Sequence, residues 1–290
     1  MTLVVLGASG LLGQALVREA ARRGVKAVGL SRGTGVDLAR VAELGAVLDI
    51  HRPSLVINAA AITRLEHCER EPEAAWALHA RLPALLASWA GVQGVPWIQV
   101  STDHYFRGEE NLLHDEHAPV ALLNEYARSK HAGEAAALTS AQALVARTNI
   151  VGRRGWPGLP SFAEWAVGAL RAGEPFAGYT DSWASSMEAG QCAAALLDLA
   201  DAGARGLVNV AARESTSKAR FISDLAAAMK LDAACLQPQP RPRAGLPRAN
   251  ALGLDVRKAE QLLGRKLPSA HEVAAALATA FQQENDHVHA

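Results

Sequence analysis

Tyr126 and Lys130 lie four positions apart in the stretch NEYARSK, a spacing that places two side chains on the same face of a helix. A tyrosine phenol ordinarily has a pKa of about 10, so it exchanges protons poorly at neutral pH. A nearby ammonium group favours the phenolate and brings that pKa closer to neutrality. With the hydroxyl of Thr102 in the earlier stretch STD, the pair has the chemistry of acid–base catalysis at a carbonyl oxygen. Alone, the pair would also suit an exposed helix surface, so the surrounding elements must decide.

The first half of the chain alternates apolar runs with helix-like segments. Runs within residues 3–6, 25–31, 54–61 and 95–103 are typical of strands, and QALVREAARRG has apolar residues at helical spacing. This alternation predicts an α/β fold with a doubly wound parallel sheet of the Rossmann type. Pro83 is expected to kink or break the Ala- and Leu-rich helical region between the last two strands.

A GxxGxxG pattern follows the first predicted strand directly. Glycines at these positions permit a tight turn, a close approach of the backbone to a pyrophosphate, and close packing of the next helix on the sheet. The unpaired N–H groups at the start of that helix attract phosphate. We therefore predict a dinucleotide site with contacts from Gly7, Ser9, Gly10, Leu11, Leu12 and Gly13.

The second predicted strand ends in Ser31 and Arg32, where an NAD site commonly has an acidic residue. A guanidinium group can instead pair with the 2′-phosphate of NADPH. NADPH is therefore the predicted cofactor, with NADH possible as well. Asp37 and Leu38 are expected to follow a further short strand and to place backbone near the adenine ring.

Polar residues at two further strand ends complete the predicted site, because ligands of open parallel sheets bind outside the carboxyl ends of strands. Tyr126 would protonate the carbonyl oxygen that receives a hydride, Thr102 would donate a hydrogen bond to that oxygen, and Lys130 would adjust the phenol and hold ribose hydroxyls. The predicted cofactor contacts of this region are Asn58, Ala59, Ala60, Ala61, Ser101, Tyr126 and Lys130.

The motifs GASGLLG, INAAA, STDHYFRG and YARSK, in this order, resemble the extended short-chain dehydrogenase/reductase superfamily. The chain is most similar to the dTDP-4-dehydrorhamnose reductase branch, over nearly its whole length. The resemblance implies NADPH-dependent reduction of a 4-keto nucleotide-linked deoxysugar, with Thr102, Tyr126 and Lys130 as catalytic residues. The substrate contacts that we expect are Thr63, Thr102, Asp103, His104, Asn149, Ile150 and Arg248.

Several positions depart from the pattern of that branch. His79 replaces an asparagine and is expected to be a core histidine with its hydrogen bonds satisfied. Asn149 and Ile150 stand where the branch has Ser-Trp, and His104 replaces a tyrosine. An epimerase or dehydratase with tightly bound NAD, and a non-catalytic NADP-binding regulatory subunit, therefore stay open as alternatives.

The alternation of strands and helices breaks up near residue 151. We predict an NAD(P)-binding domain at 1–152 and a smaller substrate-binding lobe at 153–290, with some segments returning to the first domain. Residues 237–250 lack periodicity and are predicted to form a loop. Arg241, Arg243 and Arg248 in this loop could grip a diphosphate or could be solvated, and Arg248 is the preferred candidate.

The net charge and the cysteines of the chain limit the partners and the location that we expect. The formal net charge is zero, which gives no electrostatic reason to expect nucleic acid or a membrane as a partner. Cys68, Cys192 and Cys235 are scattered, so we expect no metal site and a reducing, cytoplasmic location. The predicted partners are a nucleotide-sugar substrate and a second copy of the chain in a homodimer.

Overall fold

The computed structural model describes residues 1–40, 43–108, 111–154, 160–242 and 245–282. Its central sheet has six parallel strands in this part of the chain: β1 Thr2–Leu6, β2 Lys26–Leu30, β3 Leu55–Asn58, β4 Trp97–Val100, β6 Ala143–Arg147 and β11 Gly206–Asn209. The strand order is β2-β1-β3-β4-β6-β11. The order reverses direction between β1 and β3, and a crevice for ligands opens at such a point beyond the strand ends.

Helices cover both faces of this sheet. Alternate residues of β1 lie in different apolar clusters. Leu3 and Val5 pack with the helices Leu11–Arg22 and Ala189–Asp201, while Val4 and Leu6 pack with the helices Leu44–His51 and Leu82–Gln93. The predicted doubly wound α/β fold is therefore confirmed. The helices around the sheet are α1 Leu11–Arg22, α2 Leu44–His51, α3 Leu65–Arg70, α4 Pro72–Trp76, α5 Leu82–Gln93, α6 Glu125–Leu138, α8 Ala189–Asp201 and α10 Arg257–Leu263.

A second packed region stands beside the sheet. Its helices are α7 Phe162–Ala172, α9 Lys218–Met229 and α11 Ala270–Gln282, with a core that includes Val167, Phe221 and Leu277. Short strands frame it: β5 Leu113–His114, β7 Ile150–Val151, β8 Phe176–Tyr179, β9 Trp183–Ala184, β10 Met187–Glu188, β12 Thr216–Ser217, β13 Leu236–Gln239 and β14 Ala251–Leu254.

Segments from both halves of the chain build the central sheet. Two elements that come after residue 152, β11 and α8, belong to this sheet and its covering helices. The strand β11 pairs with β6 in parallel, and α8 packs against α1. The division into a cofactor domain and a substrate lobe stays a prediction. None of the helices in the described ranges combines the length and apolar character that a membrane crossing requires.

Three local features differ from what the sequence suggests. The helical region around Pro83 is interrupted at a π-helical segment, Ala77–Arg81, and Pro83 itself lies in the first turn of α5, where its missing N–H is not needed. Part of the predicted loop is a strand, because β13 pairs with β8 and buries Leu236. A 3₁₀ turn, Arg32–Thr34, replaces the short strand expected before Asp37, since Ser31 and Thr34 cap each other and Gly35 reverses the chain.

The turn between β1 and α1 is too tightly packed for side chains. Gly7 has a φ of +80°, and a Cβ there would lie 2.7 Å from the Ala60 backbone. A Cβ on Gly13 would press against the Gly7 carbonyl oxygen and lie 2.7 Å from the Ala8 Cα. The absence of these side chains lets α1 begin directly at the end of β1, facing the crevice.

We expect Gly13→Ala to lower the free energy of unfolding by about 1–3 kcal/mol, because backbone atoms must move to make room. Gly91→Ala in α5 is the matched control, since no atom lies within 4 Å of the added methyl group. That change should stabilise the protein by about 0.5–1 kcal/mol through helix propensity. Urea unfolding of both variants measures the difference, and equal effects would contradict the packing explanation.

Candidate active site

A cavity of about 450 Å³ lies at the carboxyl ends of the central strands, and we call it the central cavity. Most residues that the sequence predicted for the site line it. They are Gly10, Leu11, Leu12, Ala59, Ala61, Thr63, Ser101, Thr102, Asp103, His104, Tyr126, Lys130, Asn149, Ile150 and Arg248. Sequence reasoning did not single out Leu65, Val100, Thr148, Arg154, Ser161 and Phe162, which also line it.

Other predicted cofactor residues do not line this cavity: Gly7, Ser9, Gly13, Ser31, Arg32, Asp37, Leu38, Asn58 and Ala60. Asn58 is fully buried inside the sheet, where its side-chain amide donates to Gln99 at 2.8 Å. Its side-chain oxygen accepts the Ala60 N–H at 3.2 Å. The polar character of Asn58 is therefore satisfied by the protein itself. The strands β3 and β4 pair in a register that places Asn58 opposite Gln99. This register could not be read from the sequence.

The residues after β2 lie beyond the edge of the central cavity. Arg32 is exposed in the 3₁₀ turn, and Asp37 is exposed with its carboxylate 3.7 Å from Arg40. Leu38 is buried in the apolar cluster below the turn. The guanidinium of Arg32 is thus free to contact a ligand that extends from the cavity past the end of β2.

The first turn of α1 suits a pyrophosphate. Gly10 is the N-cap residue of α1, and its backbone oxygen accepts the Gln14 N–H. Gly10 has no side chain to cap the first N–H groups of the helix. Leu11 and Leu12, the first residues of the helix, line the central cavity. The backbone N–H groups of a first turn have no partners within the helix, so they can bind anionic oxygens. The chain therefore has the features that a dinucleotide phosphate requires.

Tyr126 is buried in the wall of the central cavity, with only 8% of its surface exposed. Burial raises the pKa of its phenol above the ordinary value, and the neighbouring Thr102 side chain opposes that rise. This direction is opposite to the expectation that Lys130 would lower the pKa. Desolvation is the largest cause of the shift, with the charge of Asp103 adding to it, so the phenol is neutral and holds the proton that a donor needs.

Lys130 lies one turn after Tyr126 on α6, as the spacing predicted. Burial lowers its pKa to about 8, and Glu134 opposes this shift. Its ammonium group donates to the Val100 carbonyl oxygen at 2.7 Å, which fixes the side chain at the end of β4. An ammonium group has three N–H donors, so this bond leaves capacity for ribose hydroxyls.

Asp103 is a buried carboxyl group next to Thr102. Burial raises the pKa of Asp103 to about 7, and a hydrogen bond from Asn149 is the largest opposing effect. The Asn149 side-chain amide donates to Asp103 Oδ2 at 2.7 Å, and its oxygen accepts from Ser186 Oγ at 2.8 Å. Two predicted substrate residues are therefore bonded to each other, and Ser186 had no signal in the sequence.

Two imidazole rings stand edge-on to Tyr126. The ring centroids of His79 and His104 lie 5.6 Å and 5.8 Å from that of Tyr126. His79 Nε2 accepts the Ile62 N–H at 2.9 Å, and its Nδ1 lies 2.9 Å from Ser129 Oγ. Burial, with Lys130 adding to it, lowers the pKa of His79 to about 3. The structure therefore places His79 as the satisfied core histidine that the sequence predicted.

His104 faces the central cavity with a different environment. Burial lowers its pKa to about 4, and the positive charges of Arg248, Lys218 and Arg241 act in the same direction. Its backbone N–H donates to Thr102 Oγ1 at 3.2 Å. The His104 ring is therefore neutral near pH 7.

A second cavity of about 600 Å³ adjoins the first, and we call it the basic cavity. Arg107, Lys218, Arg241 and Arg248 line it, and none of its described lining residues is acidic. Arg248 also lines the central cavity, although it pairs with Glu66. Lys218 was not predicted, because a single lysine after Ser217 gives no sequence signal. Arg243, named with the loop arginines, lies outside the described residues.

Comparisons with known proteins show the family of the chain. The family model described as RmlD substrate binding domain matches residues 1–283. The chain belongs to this family. A probable low-salt glycan biosynthesis reductase, Agl14, of Haloferax volcanii is 34% identical over 96% of this chain and 97% of its own. A dTDP-4-dehydrorhamnose reductase of Mycobacterium tuberculosis is 35% identical over 73% of this chain and 70% of its own.

Solved structures have the same fold as this chain. A dTDP-4-dehydrorhamnose reductase from Bacillus anthracis, crystallised in complex with NADP, superposes with a TM-score of 0.85. It covers 95% of this chain and 96% of its own at 20% identity. At this identity the likeness concerns the fold, which has the same parallel sheet with flanking helices.

The low pKa of His79 predicts how stability depends on pH. The unfolded chain binds a proton at His79 below about pH 6.5, whereas the folded chain binds it only near pH 3. Stability is therefore complete above pH 6.5 and falls as the pH drops towards 3. His79→Asn should reduce the loss of unfolding free energy between pH 7 and pH 4.5 by about 2–3 kcal/mol, as measured by urea unfolding.

The control for this prediction is His79→Phe, which cannot accept the Ile62 N–H. It should lower stability at both pH values, because a buried donor loses its partner. An unchanged pH dependence in the Asn variant would show that His79 does not cause the acid sensitivity.

Proposed function

We propose that this protein reduces the 4-keto group of a nucleotide-linked deoxysugar with NADPH, in the manner of dTDP-4-dehydrorhamnose reductases. The observation that carries the proposal is the convergence of Thr102, Tyr126 and Lys130 on one cavity with the first turn of α1. Tyr126 and Lys130 come from α6, Thr102 comes from the end of β4, and the phosphate-binding turn belongs to α1. The relatives named as reductases, which match most of the chain, support the same reaction.

Tyr126 supplies the proton in this reaction. NADPH provides the hydride when it is bound. The neutral, buried phenol donates its proton to the carbonyl oxygen as negative charge develops there, and the Thr102 hydroxyl donates a hydrogen bond to the same oxygen. Lys130, held by the Val100 carbonyl, then stabilises the phenolate electrostatically and contacts the ribose.

The basic cavity supports a nucleotide sugar as the substrate. The pKa of Lys218 is lowered by burial and by repulsion from Arg248 and Arg241. A bound diphosphate would relieve that repulsion, and guanidinium groups match its oxygens in pairs. Arg248 lines both cavities, so it can hold the diphosphate while the sugar lies beside Tyr126.

Location and assembly follow less directly from the site. A cytoplasmic location is supported by the free thiols of Cys68, Cys192 and Cys235. Formation of a homodimer stays a prediction.

Tyr126→Phe should lower kcat by about 10²–10⁴-fold with dTDP-4-dehydrorhamnose, because the proton donor is lost. The affinity for NADPH should change little. Tyr105→Phe is the matched control, since its hydroxyl contacts Ser101 and does not line the central cavity. The rate of NADPH oxidation measures turnover in both variants, and turnover at the wild-type rate in Tyr126→Phe would disprove the assigned role.

A keto sugar without the nucleotide should be reduced poorly, which tests the diphosphate contact.

Arg32→Ala should weaken NADPH binding by about 10–100-fold and NADH binding much less, because only NADPH carries the 2′-phosphate. Arg22→Ala, at the far end of α1, removes an exposed charge paired with Glu19 and serves as the control. Titration of both cofactors against each variant gives the ratio of dissociation constants. Equal losses for the two cofactors in Arg32→Ala would rule out the phosphate contact.

A further inference from the structure

Arg248 stands where the two cavities meet, and an ion pair holds its side chain. The residue lines both the central cavity and the basic cavity. Its Nη2 donates to Oε1 of Glu66, the second residue of α3. Leu65, the residue before Glu66, lines the central cavity, whereas Glu66 itself lines neither cavity. The carboxylate that holds Arg248 therefore comes from outside both cavities.

The other basic residues of the basic cavity are not paired in this way. Among the ion pairs that join described residues, none includes Arg107, Lys218 or Arg241. The Lys218 ammonium group lies instead 5.1 Å from the centre of the Phe162 ring. Within the described part of the chain, Arg248 is therefore the cation of this cavity whose charge a carboxylate already neutralises.

The backbone on both sides of Arg248 is fixed to other parts of the protein. The Pro247 carbonyl oxygen accepts from Asn124 Nδ2 at 3.0 Å, and Asn124 is the N-cap residue of α6. The Asn250 amide donates to the Gly108 carbonyl oxygen at 3.1 Å. A change in what the guanidinium group contacts therefore requires only that the Arg248 side chain rotates.

The ion pair is weak enough to be exchanged for another anion. The side chains of Arg248 and Glu66 are 39% and 65% exposed. Pairs this exposed contribute little, because water screens the charges and both side chains lose conformational freedom. A diphosphate carries more charge than a carboxylate and offers several oxygens to the fork of a guanidinium group. It also meets the charges of Arg107, Lys218 and Arg241 in the basic cavity, which the Glu66 carboxylate does not reach.

We propose that Glu66 competes with the diphosphate of the nucleotide sugar for Arg248 and thereby sets the affinity of the site. The proposal rests on the diphosphate contact of Arg248 in the proposed function. Without substrate, Glu66 neutralises Arg248. When substrate binds, the guanidinium group exchanges the carboxylate for phosphate oxygens, and no covalent bond changes. The reduced product carries the same diphosphate, so the carboxylate weakens the binding of product as well.

Glu66→Gln tests the competition, because the amide keeps the shape and an acceptor oxygen but loses the charge. Calorimetric titration with dTDP, in the presence of saturating NADP⁺, should give a Kd about 2–5-fold lower than that of the wild type. Glu73→Gln is the matched control, since Glu73 forms an exposed pair with Arg81 and lines neither cavity. Its Kd should equal that of the wild type. An equal or higher Kd in Glu66→Gln would overturn the proposal, because a carboxylate that only positions Arg248 helps the diphosphate to bind.

A double-mutant cycle shows whether the effect of Glu66 passes through Arg248. Arg248→Ala should bind dTDP more weakly than the wild type, because one guanidinium group is lost. When Glu66→Gln is added to Arg248→Ala, the Kd should change by less than about 1.5-fold, since no shared partner is left to couple the two sites. The same tightening with and without Arg248 would mean that Glu66 acts on the ligand by its charge alone, and that result would overturn the exchange.

Binding and turnover distinguish this proposal from the proposed function. Reduction of dTDP-4-dehydrorhamnose, with a dTDP affinity that Glu66→Gln does not raise, would overturn the exchange and leave the reductase assignment intact. Tighter dTDP binding in Glu66→Gln, in a protein that reduces no nucleotide-linked keto sugar, would support the exchange and overturn the reductase assignment. A wild-type protein that does not bind dTDP would overturn the exchange together with the diphosphate contact on which it rests.

Discussion

Desolvation of the polar groups around Tyr126 is the constraint on which the arrangement of the site depends. Thr102, Asp103, Tyr126 and Lys130 are each less than a tenth exposed, although three of them can carry charge. Burial acts against charge in every case, raising the pKa of Tyr126 and Asp103 and lowering that of Lys130. Each group keeps its place because a fixed partner compensates for lost water, as Val100 does for Lys130 and Asn149 does for Asp103. The resting phenol therefore keeps its proton, and in the proposed reaction the phenolate forms only when substrate takes that proton.

The positions of these groups depend in turn on a buried ion pair behind them. Arg147 at the end of β6 donates to Glu134 on α6 at 2.9 Å, and both side chains are less than a twentieth exposed. Ser101, next to Thr102, also donates to Glu134 at 2.5 Å. The pair thus connects β6, α6 and the end of β4, the last two of which carry Tyr126, Lys130 and Thr102. Loss of either partner would leave a buried charge alone, so the connection is costly to break.

The fold and most of the site could be predicted because they follow from local patterns. Apolar runs that end in glycine or polar residues identified the strands of the sheet, and the spacing of Tyr126 and Lys130 placed them on one face of α6. The rest depends on contacts between distant segments. Asn58 is satisfied by Gln99 because β3 and β4 pair in one register, and Lys218 reaches the basic cavity because α9 begins beside it. The direction of the Tyr126 pKa also required the structure, since it depends on how completely the phenol is buried.

His79 and His104, two residues that depart from the pattern of dTDP-4-dehydrorhamnose reductases, both stand against Tyr126 and both lack charge. His79 Nε2 accepts the Ile62 N–H, and burial keeps both His79 and His104 neutral. Two edge-on rings therefore stand against Tyr126 without adding positive charge beside it. If either ring were an imidazolium, its charge would favour the phenolate and lower the pKa of Tyr126. With both rings neutral, the phenol keeps its proton in the resting site, and in the proposed reaction Lys130, one turn away on α6, stabilises the phenolate that forms when the carbonyl oxygen takes that proton.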